Sequence, residues 1–287
     1  MCKFKLYDID TSFDSYQQLI NLFNENRDMC GEIIDISFQQ WFAANLCSTL
    51  GGILDKLIEN WNEINFKDIP ENIQTILQKN DFLSHFGHQR IHDINNTTIQ
   101  YLKINPKDIR FFHRYVVKEL LNRPELPEMN VALKKKITES IYEIFVNARL
   151  HSESDFIYTC GQFFPAKHTI EFTITDTGIG FKNRVKNRFN RNISSLQAIK
   201  WAMIDGNSTK QDISGGIGLA ILKEFVCKNN GKIQIISNDG FYQLDSTGVQ
   251  TELFSGSFPG TVINMQFKTD DRTSYAFMNK TECDKLF

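Results

Sequence analysis

Three polar side chains with helical spacing can handle a phosphate group. Glu143, Asn147 and His151 follow one another at intervals of one helical turn, so on a helix they share one stripe. A second, apolar stripe of the same helix is expected to pack against a sheet: Ile141, Phe145 and Ala148. The Asn147 amide oxygen is a hard ligand suited to Mg²⁺, an ion that commonly bridges substrate phosphates. The Glu143 carboxylate can accept a proton from a water or hydroxyl that attacks a phosphate. His151 either faces the phosphates or caps the helix end, where the dipole favours a cation.

A carboxylate followed by glycines closes a strand further along the chain. Residues 169–176 alternate apolar and polar side chains, which predicts a strand that ends at Asp176. The Asp176 carboxylate can accept a hydrogen bond from an exocyclic amine such as the adenine N6. Gly178 and Gly180 follow it, and glycines let another molecule approach the backbone closely. This segment therefore predicts the edge of a binding pocket.

A glycine-rich helix start comes some forty residues later. Its residues are Gly215, Gly216, Ile217, Gly218 and Leu219. Amide N–H groups and the dipole at such a start can bind phosphates. Thr261 then opens a strand over 261–268. It either supports Asp176, directly or through a water under the base, or is an ordinary strand residue.

In their order and spacing these motifs resemble a known ATP-binding domain, that of the GHKL superfamily with the Bergerat fold. Its members include gyrase-type topoisomerases, histidine kinases, MutL-type repair proteins and anti-sigma-factor serine kinases. The resemblance covers roughly residues 104–269 and implies ATP and Mg²⁺ as cofactors. It implies an N box at Glu143 and Asn147, glycine boxes at 176–180 and 215–219, and a closing element at 260–261. The N box is more similar to that of the serine kinases.

The composition excludes several other classes of protein. Hydrophobic residues make up 41% of the 287 residues, 24 of them Phe, which is ample for packed cores. The net charge of −2 argues against a nucleic-acid surface or a polybasic membrane patch. The six cysteines form no C-x-x-C pair, which argues against zinc and for reduced thiols. No signal peptide or spanning apolar run is visible, so we expect a cytoplasmic location.

The first 88 residues predict a small α/β unit of their own. Strands over 32–37 and 61–66 alternate with helices over 46–60 and 73–86, which favours a parallel sheet with crossovers. The larger apolar side chains of the 46–60 helix are expected to face inward: Leu46, Leu50, Ile53, Leu54 and Leu57. The order of elements is similar to the STAS-type domains of anti-sigma-factor antagonists.

The STAS resemblance implies a phosphorylated hydroxyl near the start of the 46–60 helix. Ser48 is the nearest candidate, with Thr49 behind it. Residues 43–45, Ala-Ala-Asn, stand where the family carries its acceptor motif, so the alternative is that Ser48 is a plain helix residue of a docking domain. Asn45 is by type a good N-cap for this helix.

The expected fold class is α/β, with two domains. The boundaries are a STAS-like module at 1–88, a linker at 89–104, an ATP-binding domain at 105–269 and a polar tail at 270–287. The second domain is expected to be an α/β sandwich of a mixed sheet and one helical layer. Within it, 181–214 would be a mobile ATP lid. There Arg191 or Lys210 either touches the γ-phosphate or belongs to a solvated basic face.

Two functions remain open from the sequence. In one, the protein is a serine/threonine kinase of the anti-sigma type, in which Glu143 activates a hydroxyl on a regulatory partner, such as a separate STAS-like protein. In the other, ATP binding or slow hydrolysis operates a switch that controls an effector without phosphorylating it. Neither function involves nucleic acid or a membrane, and family analogy suggests a homodimer.

Overall fold

The computed structural model describes residues 2–151, 154–204 and 217–277, and it confirms the α/β class. Two β-sheets alternate with two layers of helices. In this part of the chain no helix has the length and apolar character needed to cross a membrane.

The first sheet has three parallel strands in the order β1-β2-β3. Its elements in chain order are β1 Cys2–Ile9, α1 Phe13–Asn26, β2 Ile33–Phe42, α2 Cys47–Ile58, β3 Glu63–Lys67 and α3 Glu71–Lys79. This confirms the predicted parallel sheet. Because the strands follow in sequential order, right-handed crossovers place α1 and α2 on one face. Strand β1 was not predicted, although Phe4 and Leu6 alternate there with Lys3 and Lys5.

The second sheet has five strands in the order β4-β5-β6-β8-β7. The elements from here on are β4 Thr98–Ile104, α4 Ile109–Tyr115, α5 Val131–His151, β5 Ile157–Phe164, β6 Thr169–Asp176, α6 Gly180–Phe189, α7 Ser195–Ala202, α8 Ile217–Lys228, β7 Lys232–Asp245 and β8 Gly248–Lys268. Every pairing between neighbouring strands is antiparallel, whereas the sequence analysis expected a mixed sheet.

Strand β4 corrects the prediction of a linker over 89–104. Its residues pair with β5, with Thr98 opposite Gln162 and Ile104 opposite Ile157. Ile99 and Tyr101 are buried on opposite faces of the sheet, in two different hydrophobic clusters. The short apolar run was hidden by the polar residues that precede it, and its partner strand lies more than fifty residues away.

One face of the five-stranded sheet is covered by α4, α5 and α8. Ile141, Phe145 and Ala148 of α5 are buried there, as predicted from their spacing. The two long helices run antiparallel, because Tyr275 connects opposite ends of them. Its hydroxyl donates to the carbonyl of Lys228 at the end of α8, and its own carbonyl accepts from the N–H of Asn130 at the start of α5.

The other face of this sheet is covered by α1 and α2, so the N-terminal module and the sheet share a hydrophobic core. Helix α2 is buried on two sides. Its larger apolar side chains were predicted to be inward, and the structure buries them: Leu46, Leu50, Ile53, Leu54 and Leu57. Its small residues let it approach the sheet: a Cβ atom on Gly52 would lie 2.9 Å from the Thr177 methyl carbon.

Candidate functional site

The sheet pairing determines where the sequence motifs lie. Asp176, the last residue of β6, stands opposite Thr261 of β8 on one side and Ile157 of β5 on the other. Ile157 lies six residues after the end of α5, so the C-terminal end of α5 is at this same edge of the sheet. We call this edge the Asp176 end.

Helix α8 begins at the same edge. Strand β7 starts at Lys232 opposite Gln266 and reaches Ser237 opposite Thr261, so it runs toward the Asp176 end. Helix α8 leads into the far end of β7, and its own start therefore lies near the Asp176 end. Since α5 and α8 are antiparallel, the start of α8 lies beside the second half of α5, which carries Glu143 and Asn147.

The N-box residues lie where the helical spacing predicted. Glu143 and Asn147 are both half-buried on α5, between the buried positions Ile141, Phe145 and Ala148. His151 is the last residue of α5, and its side chain lies outside the described residues.

The second glycine box is described only in part. Gly215 and Gly216 lie outside the described residues. Ile217, Gly218 and Leu219 form the first turn of α8, without a description of their side chains.

Asp176 is a buried carboxylic acid with an altered acidity. Asp176 is only 7% exposed to solvent. Burial raises the pKa of its carboxyl group from 3.8 to about 7. Hydrogen bonds from the N–H groups of Gly178 and Thr261, and the charge of Arg184, oppose that rise. The Gly178 N–H lies 3.0 Å from Asp176 Oδ1. Two backbone donors thus hold the Asp176 carboxyl group in place.

The backbone N–H of Thr261 donates to Asp176, whereas its side chain contacts Ser237 and not Asp176. Its hydroxyl lies 3.2 Å from the Ser237 hydroxyl, and the Ser237 hydroxyl also accepts from the Phe181 N–H at 2.9 Å. These contacts connect β7, β8 and the turn after β6. The side chain of Thr261 therefore holds the glycine turn against the sheet.

The local structure requires glycine at two positions in this region, Gly260 and Gly180. Gly260 has a φ of +133°, and a Cβ atom there would collide with the Asp176 carbonyl and lie 2.7 Å from Thr177 Cα. Gly180 has a φ of +72°, and its Cβ would lie 2.9 Å from Asn238 Nδ2. Both positions exclude larger residues because neighbouring protein atoms are too close.

Arg184 belongs to this site, although nothing in the sequence singled it out from the other basic residues of the predicted lid. It lies one turn into α6, beside Asp176, and burial lowers the pKa of its guanidinium to about 10 although the Asp176 charge raises it. The spacing from Gly180 to Arg184 is one helical turn, which would have pointed to it had α6 been predicted.

Much of the predicted lid packs on the sheet. Helix α7 begins with a Ser194–Gln197 capping box and lies on β7, where a Cβ on Gly240 would be 2.9 Å from Ile199 Cδ1. Helix α6 contacts β7 and β8. Residues 181–204 of the predicted lid are therefore packed on the sheet, mainly as helices α6 and α7. Residues 205–214, which include Lys210, lie outside the described residues.

The structure favours one of the two alternatives for Ser48, a plain helix residue, and overturns the expected role of Asn45. Ser48 is completely buried, and its hydroxyl donates to the Asn45 carbonyl at 3.1 Å, so a kinase has no access to it. Asn45 does not cap α2. Its Nδ2 lies 3.2 Å from the Thr173 hydroxyl and 3.3 Å from Asn264 Oδ1, in the interface with the five-stranded sheet.

A contact chain links the N-terminal module to the Asp176 end. The Tyr158 hydroxyl donates to Asp55 Oδ2 of α2 at 2.6 Å, and Lys103 Nζ lies 2.6 Å from the same oxygen. Gly52 of α2 abuts Thr177, the residue after Asp176. The module therefore contacts the backbone segment that carries the predicted base acceptor.

The described residues include no candidate metal site made of protein side chains alone. No group of three or more His, Cys, Asp and Glu side chains there is arranged to hold an ion. The predicted Mg²⁺ site differs from such a group, because it has one amide ligand, Asn147, and takes its other ligands from phosphates and water.

No protein-family model and no curated protein matches this chain. The GHKL and STAS resemblances consequently rest on the sequence motifs alone.

Proposed function

We propose that this chain binds Mg-ATP at the Asp176 end of the five-stranded sheet and transfers the γ-phosphate to a serine or threonine of a regulatory partner protein. The observation that supports the proposal is the convergence described above: chain topology brings the second half of α5, Asp176, Thr261 and the first turn of α8, which are separated by up to about 120 residues, to one edge of the sheet.

The residues at this edge fit the ligand chemically. Asp176 supplies a buried acceptor for the exocyclic amine of a base, and the first turn of α8 supplies N–H groups for phosphates. Asn147 would hold Mg²⁺, which when bound neutralises phosphate charge. Glu143 would accept the proton of the attacking hydroxyl. We expect this chemistry in the cytoplasm, where the cysteines stay reduced.

The alternative function, an ATP-operated switch without phosphotransfer to protein, is favoured by one specific observation. Helix α2 abuts Thr177, so a change at Asp176 on nucleotide binding would reach the N-terminal module directly. The burial of Ser48 also removes the acceptor that the STAS resemblance placed in this chain. Under either function the phosphate acceptor or effector is a separate protein.

Nucleotide binding is the first test. We expect Asn147→Ala to weaken Mg-ATP binding at least about tenfold, because the metal loses its only protein ligand. Isothermal titration of wild type and variant with Mg-ATP measures this. Asn72→Ala is the matched control, since Asn72 is an exposed residue of α3 whose amide only contacts the Gln40 carbonyl. Failure of the wild-type protein to bind ATP would overturn the proposal.

Phosphotransfer distinguishes the two functions. With Mg²⁺, γ-labelled ATP and a separate STAS-like protein, a kinase should label the partner, and Glu143→Gln should slow labelling by about 100-fold or more because the general base is lost. Release of free phosphate with no labelled protein would instead support the switch. A variant that labels the partner as fast as wild type would remove Glu143 from the mechanism.

A further inference from the structure

A cleft between α6 and α7 lies on the surface of the packed part of the predicted lid. Its volume is about 340 Å³, and its lining residues are Val185, Phe189, Arg191, Ile193, Gln197 and Trp201. The rings of Phe189 and Trp201 meet edge to face at 5.4 Å and form one wall. Phe189 is 42% exposed, so a large apolar side chain stands open to solvent at the cleft. A surface of this kind is typical of a docking site.

The segment that forms the cleft carries charges of a single sign. Residues 177–204 contain six Lys and Arg and no Asp or Glu, although the whole chain has a net charge of −2. Four of these cations are exposed and make no ion pair with described residues: Lys186, Arg188, Arg191 and Lys200. The Arg188 guanidinium lies 5.9 Å from the centre of the Phe189 ring, at the cleft mouth. The cleft therefore combines an apolar interior with a cationic rim.

The composition of the cleft selects one class of occupant. An apolar interior of this volume holds one or two side chains, and exposed guanidinium groups pair with carboxylates at a rim. A single-stranded nucleic acid needs a groove that follows several phosphates with a series of stacking rings, whereas this cleft has one aromatic pair. We propose that the α6–α7 cleft docks an acidic segment of a protein partner, with an apolar side chain against Phe189 and Trp201 and carboxylates on Arg188 and Arg191.

This inference supplies a partner surface for the proposed regulatory function, but it does not depend on ATP binding. None of the cleft residues belongs to the four nucleotide motifs, and this proposal assigns Arg191, which is exposed, to the solvated basic face and not to the γ-phosphate. Peptide docking and nucleotide binding can therefore fail separately, and both can be measured on the same full-length protein.

The experiment is a selection of random peptides displayed on phage against the full-length protein, followed by affinity measurement with the enriched peptide made synthetically. The expected peptides carry Asp or Glu on either side of a Phe, Trp or Leu. Fluorescence polarisation should show that Trp201→Ala and Arg191→Glu each weaken binding about tenfold, because anchor and rim contacts are lost. Added salt should weaken wild-type binding as well.

Two control variants test whether the loss of peptide binding is specific to the α6–α7 cleft. Lys135→Glu reverses an exposed charge on α5 and should leave the peptide affinity unchanged, as should Asn147→Ala, which targets the nucleotide site. Arg191 is exposed, so its variant is expected to fold even if Trp201→Ala does not. Three results would overturn the proposal: enriched peptides without acidic residues, equal binding to Arg191→Glu, or tighter binding of an oligonucleotide or ATP than of the peptide at this cleft.

Discussion

Replacing Glu171 with alanine is expected to lower the free energy of unfolding by about 3–5 kcal/mol, because it strips a buried cluster of donors of their acceptor. Glu171 is a strand residue of β6, only 5% exposed, between the five-stranded sheet and the N-terminal module. Its carboxylate accepts from Asn264 Nδ2 at 3.0 Å and from Gln266 Nε2 at 2.9 Å. Thr11 and Asn45 of the module donate to it at 3.3 and 3.4 Å.

This cluster holds the two sheets together through polar contacts. Thr11 also accepts from Lys232 Nζ at 3.1 Å, and its carbonyl accepts from Gln234 Nε2 at 2.7 Å. Loss of Glu171 would leave its four donors buried without an acceptor: Asn264, Gln266, Thr11 and Asn45. Each hydrogen bond to a charged acceptor stabilises by about 1.5–3 kcal/mol. Destabilisation should therefore be cooperative across both modules.

Urea unfolding followed by fluorescence and circular dichroism measures the effect. Glu252→Ala is the matched control, since Glu252 is an exposed residue of β8 in the same sheet, and its loss should change stability by less than about 0.5 kcal/mol. Equal stabilities for the two variants would show that the buried cluster does not stabilise the interface.

The second large effect is a dependence of stability on pH that Asp176→Asn should remove. Burial raises the pKa of Asp176 to about 7 in the folded protein, against an ordinary value of 3.8. Between these two pH values the folded chain binds more protons than the unfolded chain, so stability falls as pH rises from about 4 to 7 and then levels off. The full difference has an upper limit of about 4 kcal/mol.

Carboxylates with the opposite shift act in a different pH range. Hydrogen bonds from Tyr275, Asn229 and Thr273 outweigh burial and lower the pKa of Asp271 to about 2, so its contribution is present above its ordinary pKa and is lost as pH falls from about 4 to 2. The two windows do not overlap. Asp271 therefore does not account for a fall in stability between pH 4 and 7, and the loss of that fall in Asp176→Asn would attribute it to Asp176.

Unfolding free energies at pH 4.5, 6, 7 and 8 test this, with wild type, Asp176→Asn and Asp270→Asn compared. Asn cannot ionise, so the stability of Asp176→Asn relative to wild type should increase with pH. Asp270 is exposed in the segment after β8, and its variant should follow the wild-type curve. Parallel curves for wild type and Asp176→Asn would contradict the raised pKa.

Local pattern was sufficient for the elements that carry the motifs. The spacing of Ile141, Phe145 and Ala148 predicted α5 and its buried stripe, and the structure confirms both. The strand predicted over 169–176 matches β6 residue for residue. Each of these segments buries the apolar stripe that its own periodicity indicates. Contacts with residues distant in sequence were therefore not needed to predict it.

Helix α6 and strand β4 show where local pattern failed. Helix α6 carries Phe181, Val185 and Phe189 at helical spacing, but only Val185 of these three is buried, and basic and amide residues fill the positions between them. Strand β4 is a short run next to polar residues, and only its pairing with β5 gives it a place in the sheet. Both depend on partners that are distant in sequence.

The sequence by itself determined the order and chemical types of the motifs, from Glu143 to Thr261, because residue type and spacing are local properties. Only the tertiary structure decided that β6 and α2 are buried on both sides. The polar face of β6, with Glu171 and Thr173, and the small residues of α2, with Ser48, look solvent-facing by pattern, yet they meet each other in one interface. Neither segment's sequence alone indicates that the two surfaces are complementary in shape and hydrogen bonding, because the complementarity exists only once both segments are folded.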